Sequence, residues 1–182
     1  MIWHLTEEDM DNLSLEGKKH ICNKVLEYAS RLLWLEEIII EFRDSGFFST
    51  YNIDAIFEKE YFIIFVNENW LERAKFVEIV ATVLHETRHA YQCAQVEFYE
   101  NMEYQEPKEI VKQWKLDLEN YVPPTGNEHN DMVYMKQSIE IDAVAFEMKI
   151  MKDLLDIDLN PHDMIAEDVE MVNIVINQQV LH

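Results

Sequence analysis

Apolar residues recur at helical spacing from Leu13 to Glu36, where Ile21, Val25, Leu26, Ala29, Leu32 and Leu33 form one stripe. This predicts an amphipathic helix, with Ser14, three residues before Gly17, as its candidate N-cap. The pattern then changes. Ile38-Ile39-Ile40 with Phe42, the imperfectly alternating Tyr51 to Phe57, and Tyr61-Phe62-Ile63-Ile64-Phe65-Val66 are β-branched and aromatic runs, which suit strands. The last two are separated by a short polar link, a hairpin signal. A small, mostly antiparallel sheet is expected between residues 36 and 67.

From Leu71 to about Val96 the period returns to 3.6. Phe76, Val77, Ile79, Val80, Val83 and Leu84 leave little polar surface, so this helix should run through the core. Pro107 opens a further helix carrying Ile110, Val111, Trp114 and Leu118, since Pro is favoured in a first turn. Tyr121 to Gly126 is a loop by its Pro and Gly content. Ile139, Ala143, Phe146, Ile150 and Leu154 predict one helix over Met132 to Leu155. Asn160-Pro161 breaks the chain before a last helix over Asp163 to Gln178. The order of helix, three strands and several helices predicts an α+β fold. No repeat or low-complexity linker divides the chain, so residues 1–182 are expected to form a single domain.

Composition narrows the function classes. Among 182 residues there are 3 Gly and 4 Pro, and Gly17, Gly46 and Gly126 stand too far apart for a dinucleotide or phosphate-loop fingerprint. Lys and Arg number 15 against 36 Asp and Glu, a net charge of -21. Such a surface repels phosphate backbones and anionic headgroups, so nucleic-acid and membrane-surface roles are disfavoured. No apolar run approaches the ~20 residues of a membrane span. MIWHLTEEDM lacks the basic start and apolar run of a signal peptide. Two cysteines, Cys22 and Cys93, make no disulfide framework and read as thiols in a reducing compartment, so the expected location is the cytoplasm.

One segment carries chemistry: His85-Glu86-Thr87-Arg88-His89, an HExxH sequence. Two histidines four apart lie one turn apart on one helix face, about 6 Å along the axis. Their nitrogens can then reach one cation at about 2.0–2.1 Å. Glu86, one step round the helix, is placed to accept a proton from metal-bound water without ligating the metal. Thr82 to Tyr91 resembles the extended signature of the zincin metallopeptidases, apart from Arg88, where that family prefers an uncharged residue. The helix-sheet-helix order before the motif is similar to the zincin core. The resemblance implies one zinc ion per chain and a peptide or protein substrate. It also implies a sheet edge strand that offers backbone groups to extended substrate, for which Tyr61 to Val66 is the candidate.

A catalytic zinc needs a third protein ligand and an open position. The HExxHxxGxxH arrangement is absent, because Ala90-Tyr91-Gln92-Cys93-Ala94-Gln95 follows His89. Cys93 shares the face of the two histidines but lies about 12 Å of helix rise from His85, too far to join one ion. Glu140-Ile141-Asp142-Ala143-Val144-Ala145-Phe146 resembles the second motif of the gluzincin branch, which implies Glu140 as the ligand. Asp142, Glu147 and His129 are its rivals. Many gluzincins brace a zinc-bound His with Asp or Asn four residues beyond the ligand; Val144 stands there, leaving Asp142 or another acid for that task. Tyr134, His129 and His162 are the candidates for stabilising an oxyanion.

Other features read as structure. Trp34, Trp70 and Trp114 are expected in packing. Met132, Met135, Met148 and Met151 form a deformable apolar stripe, core before peptide groove. The acidic C-terminal part lacks a calcium loop. Besides a zinc metallopeptidase of gluzincin type, two other readings stay open. One is a zincin-fold regulatory protein that recognises a protein partner without turnover; the other is a helical interaction module with a fortuitous motif.

Overall fold

The computed structural model describes residues 11–48, 53–101, 103–124, 128–163 and 165–179. It is α+β, with seven helices and a three-stranded sheet among the described residues. The chain divides into two compact units, 1–90 and 91–182.

In the first unit, helix α1 (Leu15–Leu32) starts where Ser14 accepts a hydrogen bond from the Gly17 amide at 3.3 Å. Ile21, Cys22, Val25, Leu26 and Ala29 form its buried stripe. The helix stops at Leu33, and Trp34 follows in the left-handed region with φ 54°. That turn leaves the Trp34 ring 82% exposed, contrary to the packing role expected of it. Trp114 of the second unit is buried as expected.

The sheet comprises β1 (Ile39–Arg43), β2 (Ala55–Glu58) and β3 (Ile63–Asn67), in the order β1-β3-β2. β2 and β3 form the expected antiparallel hairpin, pairing Phe57 with Ile64. β1 and β3 run parallel, pairing Ile39 with Ile63. The sheet is therefore mixed, not mostly antiparallel. Residue pattern reports which face of a strand is buried, whereas its direction is set by the connection, and here β2 is added beyond β3. The expected strand over Tyr51 to Phe57 is confined to Ala55–Glu58, with Tyr51 and Asn52 outside the described residues. Tyr61 and Phe62 belong to the turn, Phe62 at φ 56°.

The helix expected from Leu71 is two. A short α2 (Glu68–Leu71) precedes α3 (Phe76–Glu100). The break is chemically specified: Glu78 accepts from the Lys75 amide at 2.7 Å and Asp11 from the Phe76 amide at 2.6 Å, which satisfies the first donors of a new helix. The buried Lys18 ammonium donates to the carbonyls of Glu72 and Ala74 at 3.0 and 2.7 Å, tying α1 to that link.

In the second unit, α3 continues to Glu100 and is followed by α4 (Lys108–Glu119), α5 (Glu128–Met135), α6 (Ser138–Leu155) and α7 (Ala166–Gln179). Pro107 stands at the start of α4, whose Val111 and Trp114 are buried. The one helix expected over Met132 to Leu155 is broken at Gln137, which is extended at φ -65° and ψ 137°. Gln137 is used by its side chain: Oε1 accepts from the Val122 amide at 2.8 Å and Nε2 donates to the Val122 carbonyl at 3.0 Å. Ile141, Ala145, Ile165 and Val169 form a core between α6 and α7, with Met135 and Met148 packed against it. Both of these methionines are only partly buried there.

No helix among the described residues is long and apolar enough to cross a membrane. Cys22 and Cys93 are buried thiols, and burial pushes the Cys22 thiol up to about 12. In the unfolded chain a thiol ionises near its ordinary value of about 8.5. Native stability from this group is therefore fully present below that value and is lost as pH rises towards 12. Denaturant unfolding at pH 8 and pH 10.5 checks this. Wild-type protein should lose more stability between the two pH values than Cys22→Ala does.

Candidate metal centre

Helix α3 carries the HExxH segment directly after two buried residues. Val83 and Leu84 are buried, as is Thr87, whose hydroxyl donates to the Val83 carbonyl at 2.6 Å. Arg88 is buried too, at 5% exposure. His85, Glu86 and His89 are half-buried, so the motif lies on the flank of the helix, between core and solvent. The periodicity that sinks Val83, Leu84 and Thr87 leaves these three side chains at the margin.

The two imidazoles converge. Their rings meet edge to face with centroids 4.6 Å apart, and the two Nε2 atoms lie 3.0 Å from each other. Two nitrogens at that separation, each about 2.05 Å from a shared ion, would subtend about 94° at it. Tetrahedral geometry asks for about 3.3 Å, a few tenths of an ångström more, within the reach of small χ adjustments. Donor type and spacing therefore fit a divalent cation. Such an ion would need both Nε2 lone pairs, with each ring keeping its proton on Nδ1.

Glu86 is held from the sheet. Its Oε2 accepts a hydrogen bond from the Phe57 amide at 2.7 Å. β2 lies at one edge of the described sheet, with β3 at its centre. This corrects the expectation that Tyr61 to Val66 would be the edge: the edges are β1 and β2, and the strand that meets the motif is β2. An edge amide pointing away from β3 has no ladder acceptor, and here the carboxylate supplies one. A carboxylate has about four acceptor positions, so this bond orients Glu86 without exhausting its capacity to take a proton.

The proposed carboxylate ligands belong to the second unit. Glu140, in the first turn of α6, is 2% exposed and its Oε1 accepts from the Tyr121 hydroxyl at 2.9 Å. Asp142, 6% exposed, accepts from Gln92 Nε2 at 2.7 Å, and the same Gln92 nitrogen donates to the Ile139 carbonyl at 2.9 Å. Glu147 is half-buried. His129 falls in α5, but its side chain lies outside the described residues. Tyr134 packs edge to face on Tyr121, ring centroids 6.3 Å apart, and His162 is exposed. Cys93 is buried, as expected of a packed thiol.

Three contributors escaped the sequence reading. Gln92 carried a signal, since it follows His89 by three residues and His85 by seven, which is one helix face. Tyr121 and Phe57 carried none, because each acts through a loop or an edge strand that spacing does not locate. In comparisons with known proteins, no family model, no curated protein and no solved structure matches the chain.

Proposed function

We propose that the chain is a zinc-dependent metallopeptidase of gluzincin type, acting in the cytoplasm, in which His85, His89 and Glu140 hold the metal and Glu86 is the general base. The observation that carries this reading is the convergence of the two HExxH imidazoles, Nε2 to Nε2 at 3.0 Å, beside a carboxylate oriented by an edge-strand amide. His85, His89 and Glu140 form a group that could hold a metal ion. Helix α3 is unbroken from Phe76 to Glu100, so His85, His89 and Gln92 share a face. Gln92 bonds to Ile139 and Asp142, the neighbours that flank Glu140 in the first turn of α6. That link supports Glu140 over Glu147, which lies two turns further along α6. Asp142, already anchored on Gln92, serves the packing of the two helices.

Zinc, when bound, supplies Lewis acidity that polarises a substrate carbonyl and acidifies water to near neutrality. The chain's own residues do the rest. Glu86 accepts the proton of the attacking water and returns it to the leaving amine. The Phe57 amide orients the Glu86 carboxylate by donating to it. A neutral imidazole at both histidines leaves their lone pairs to the cation. "Peptide" as the substrate comes from the resemblance of residues 82–91 and 139–147 to the family; the donor set by itself supports metal-assisted hydrolysis.

The test is hydrolysis of a denatured protein substrate by the purified chain. Activity should vanish with a zinc chelator and return on adding zinc. Full activity in the metal-free protein contradicts the proposal.

A further inference from the structure

We infer that residues 117–122 form a brace for the Glu140 carboxylate, with Tyr121 as a positioning residue for metal binding; this rests on the metal reading above. The last turn of α4 and the residues that follow it grip the start of α6 at three points. Asp117 accepts from the hydroxyl of Ser138, and from the Ile139 amide at 3.1 Å. It thereby caps the helix that carries Glu140, since α6 receives no side-chain cap from its own N-cap residue, Gln137. Gln137 pairs instead with both backbone groups of Val122, at 2.8 and 3.0 Å. Between these two anchors, Tyr121 delivers its hydroxyl to Glu140 Oε1 at 2.9 Å, and its ring packs on Tyr134.

The consequence is chemical. A glutamate has three side-chain torsions, and a ligand free to rotate loses that freedom on binding an ion. With one oxygen engaged by a fixed phenol, Glu140 is held in a single orientation beforehand and is biased towards a grip through its other oxygen. Partners of this kind, one bond behind a metal ligand, typically contribute 10- to 100-fold in affinity. The phenol acts through the carboxylate and needs no contact with substrate or metal. Removing its oxygen alone, in Tyr121→Phe, keeps the ring and its packing.

Zinc affinity by competition with a chromophoric chelator, on full-length wild type and Y121F, tests the inference, together with thermal unfolding of both apo-proteins. Y121F is expected to bind zinc about 10- to 100-fold more weakly, with an apo melting temperature close to that of wild type. Equal affinity in the two proteins overturns the brace alone. A fall in apo melting temperature that accompanies the weaker binding overturns it as well, because the hydroxyl would then be holding the fold. Wild-type protein that binds no zinc overturns the metal reading and this inference together.

Discussion

Glu86→Gln should leave zinc in place while lowering peptide hydrolysis by about 10²–10⁴-fold, the usual contribution of a positioned general base. The amide matches the carboxylate in size, and its oxygen can still accept from the Phe57 amide, so the 2.7 Å tie to β2 survives. What disappears is the capacity to take a proton. Metal content is unaffected because Glu86 is not assigned as a ligand. Steady-state kinetics on wild type and E86Q at matched zinc occupancy check this. Unchanged turnover with zinc retained would remove the catalytic reading and favour a protein that recognises a partner without cleaving it.

Gln92→Leu should have the largest effect on stability, and it reaches the site as well. Gln92 is 0% exposed, and its single nitrogen serves the Ile139 carbonyl and the Asp142 carboxylate, itself only 6% exposed. Leucine fills similar space but donates to neither acceptor. A lost hydrogen bond typically costs about 1 kcal/mol, and one to a charged group about 1.5–3 kcal/mol, so losing both should cost about 3 kcal/mol. In a chain of this size that lowers the melting temperature by about 6–12 °C. Thermal unfolding of the apo-protein measures it. Because Ile139 and Asp142 flank Glu140, zinc affinity should fall in the same variant. A melting temperature within about 2 °C of wild type would show that the link between α3 and α6 is not held by Gln92.

The local parts of this molecule were legible in its residues, and the non-local parts were not. Ser14 caps α1 as its type and position suggested, because a cap is decided within three residues. The HExxH spacing placed both imidazoles on one face, since helical period is a local property. Strand direction failed because the order β1-β3-β2 depends on where β2 is added, which no run of apolar residues encodes. Helix ends failed where side chains competed for the backbone. Glu78 and Asp11 start α3 at Phe76, and Gln137 spends its amide on Val122 and so interrupts the apolar series of α6. Trp34 failed for a related reason: an aromatic residue suits packing by type, yet a left-handed backbone at the end of α1 turns it to solvent. At the candidate site, the donor types were readable from the motif. The groups that orient them, Phe57 behind Glu86 and Tyr121 behind Glu140, come from an edge strand and a proline-containing loop.

Metal analysis of the purified chain reaches the central claim most directly. After equilibration with zinc and removal of excess, wild type should carry about one zinc per chain, and His85→Ala and Glu140→Ala should each lose it while remaining folded. Wild-type protein without bound zinc, or either variant retaining a full equivalent, would contradict the account.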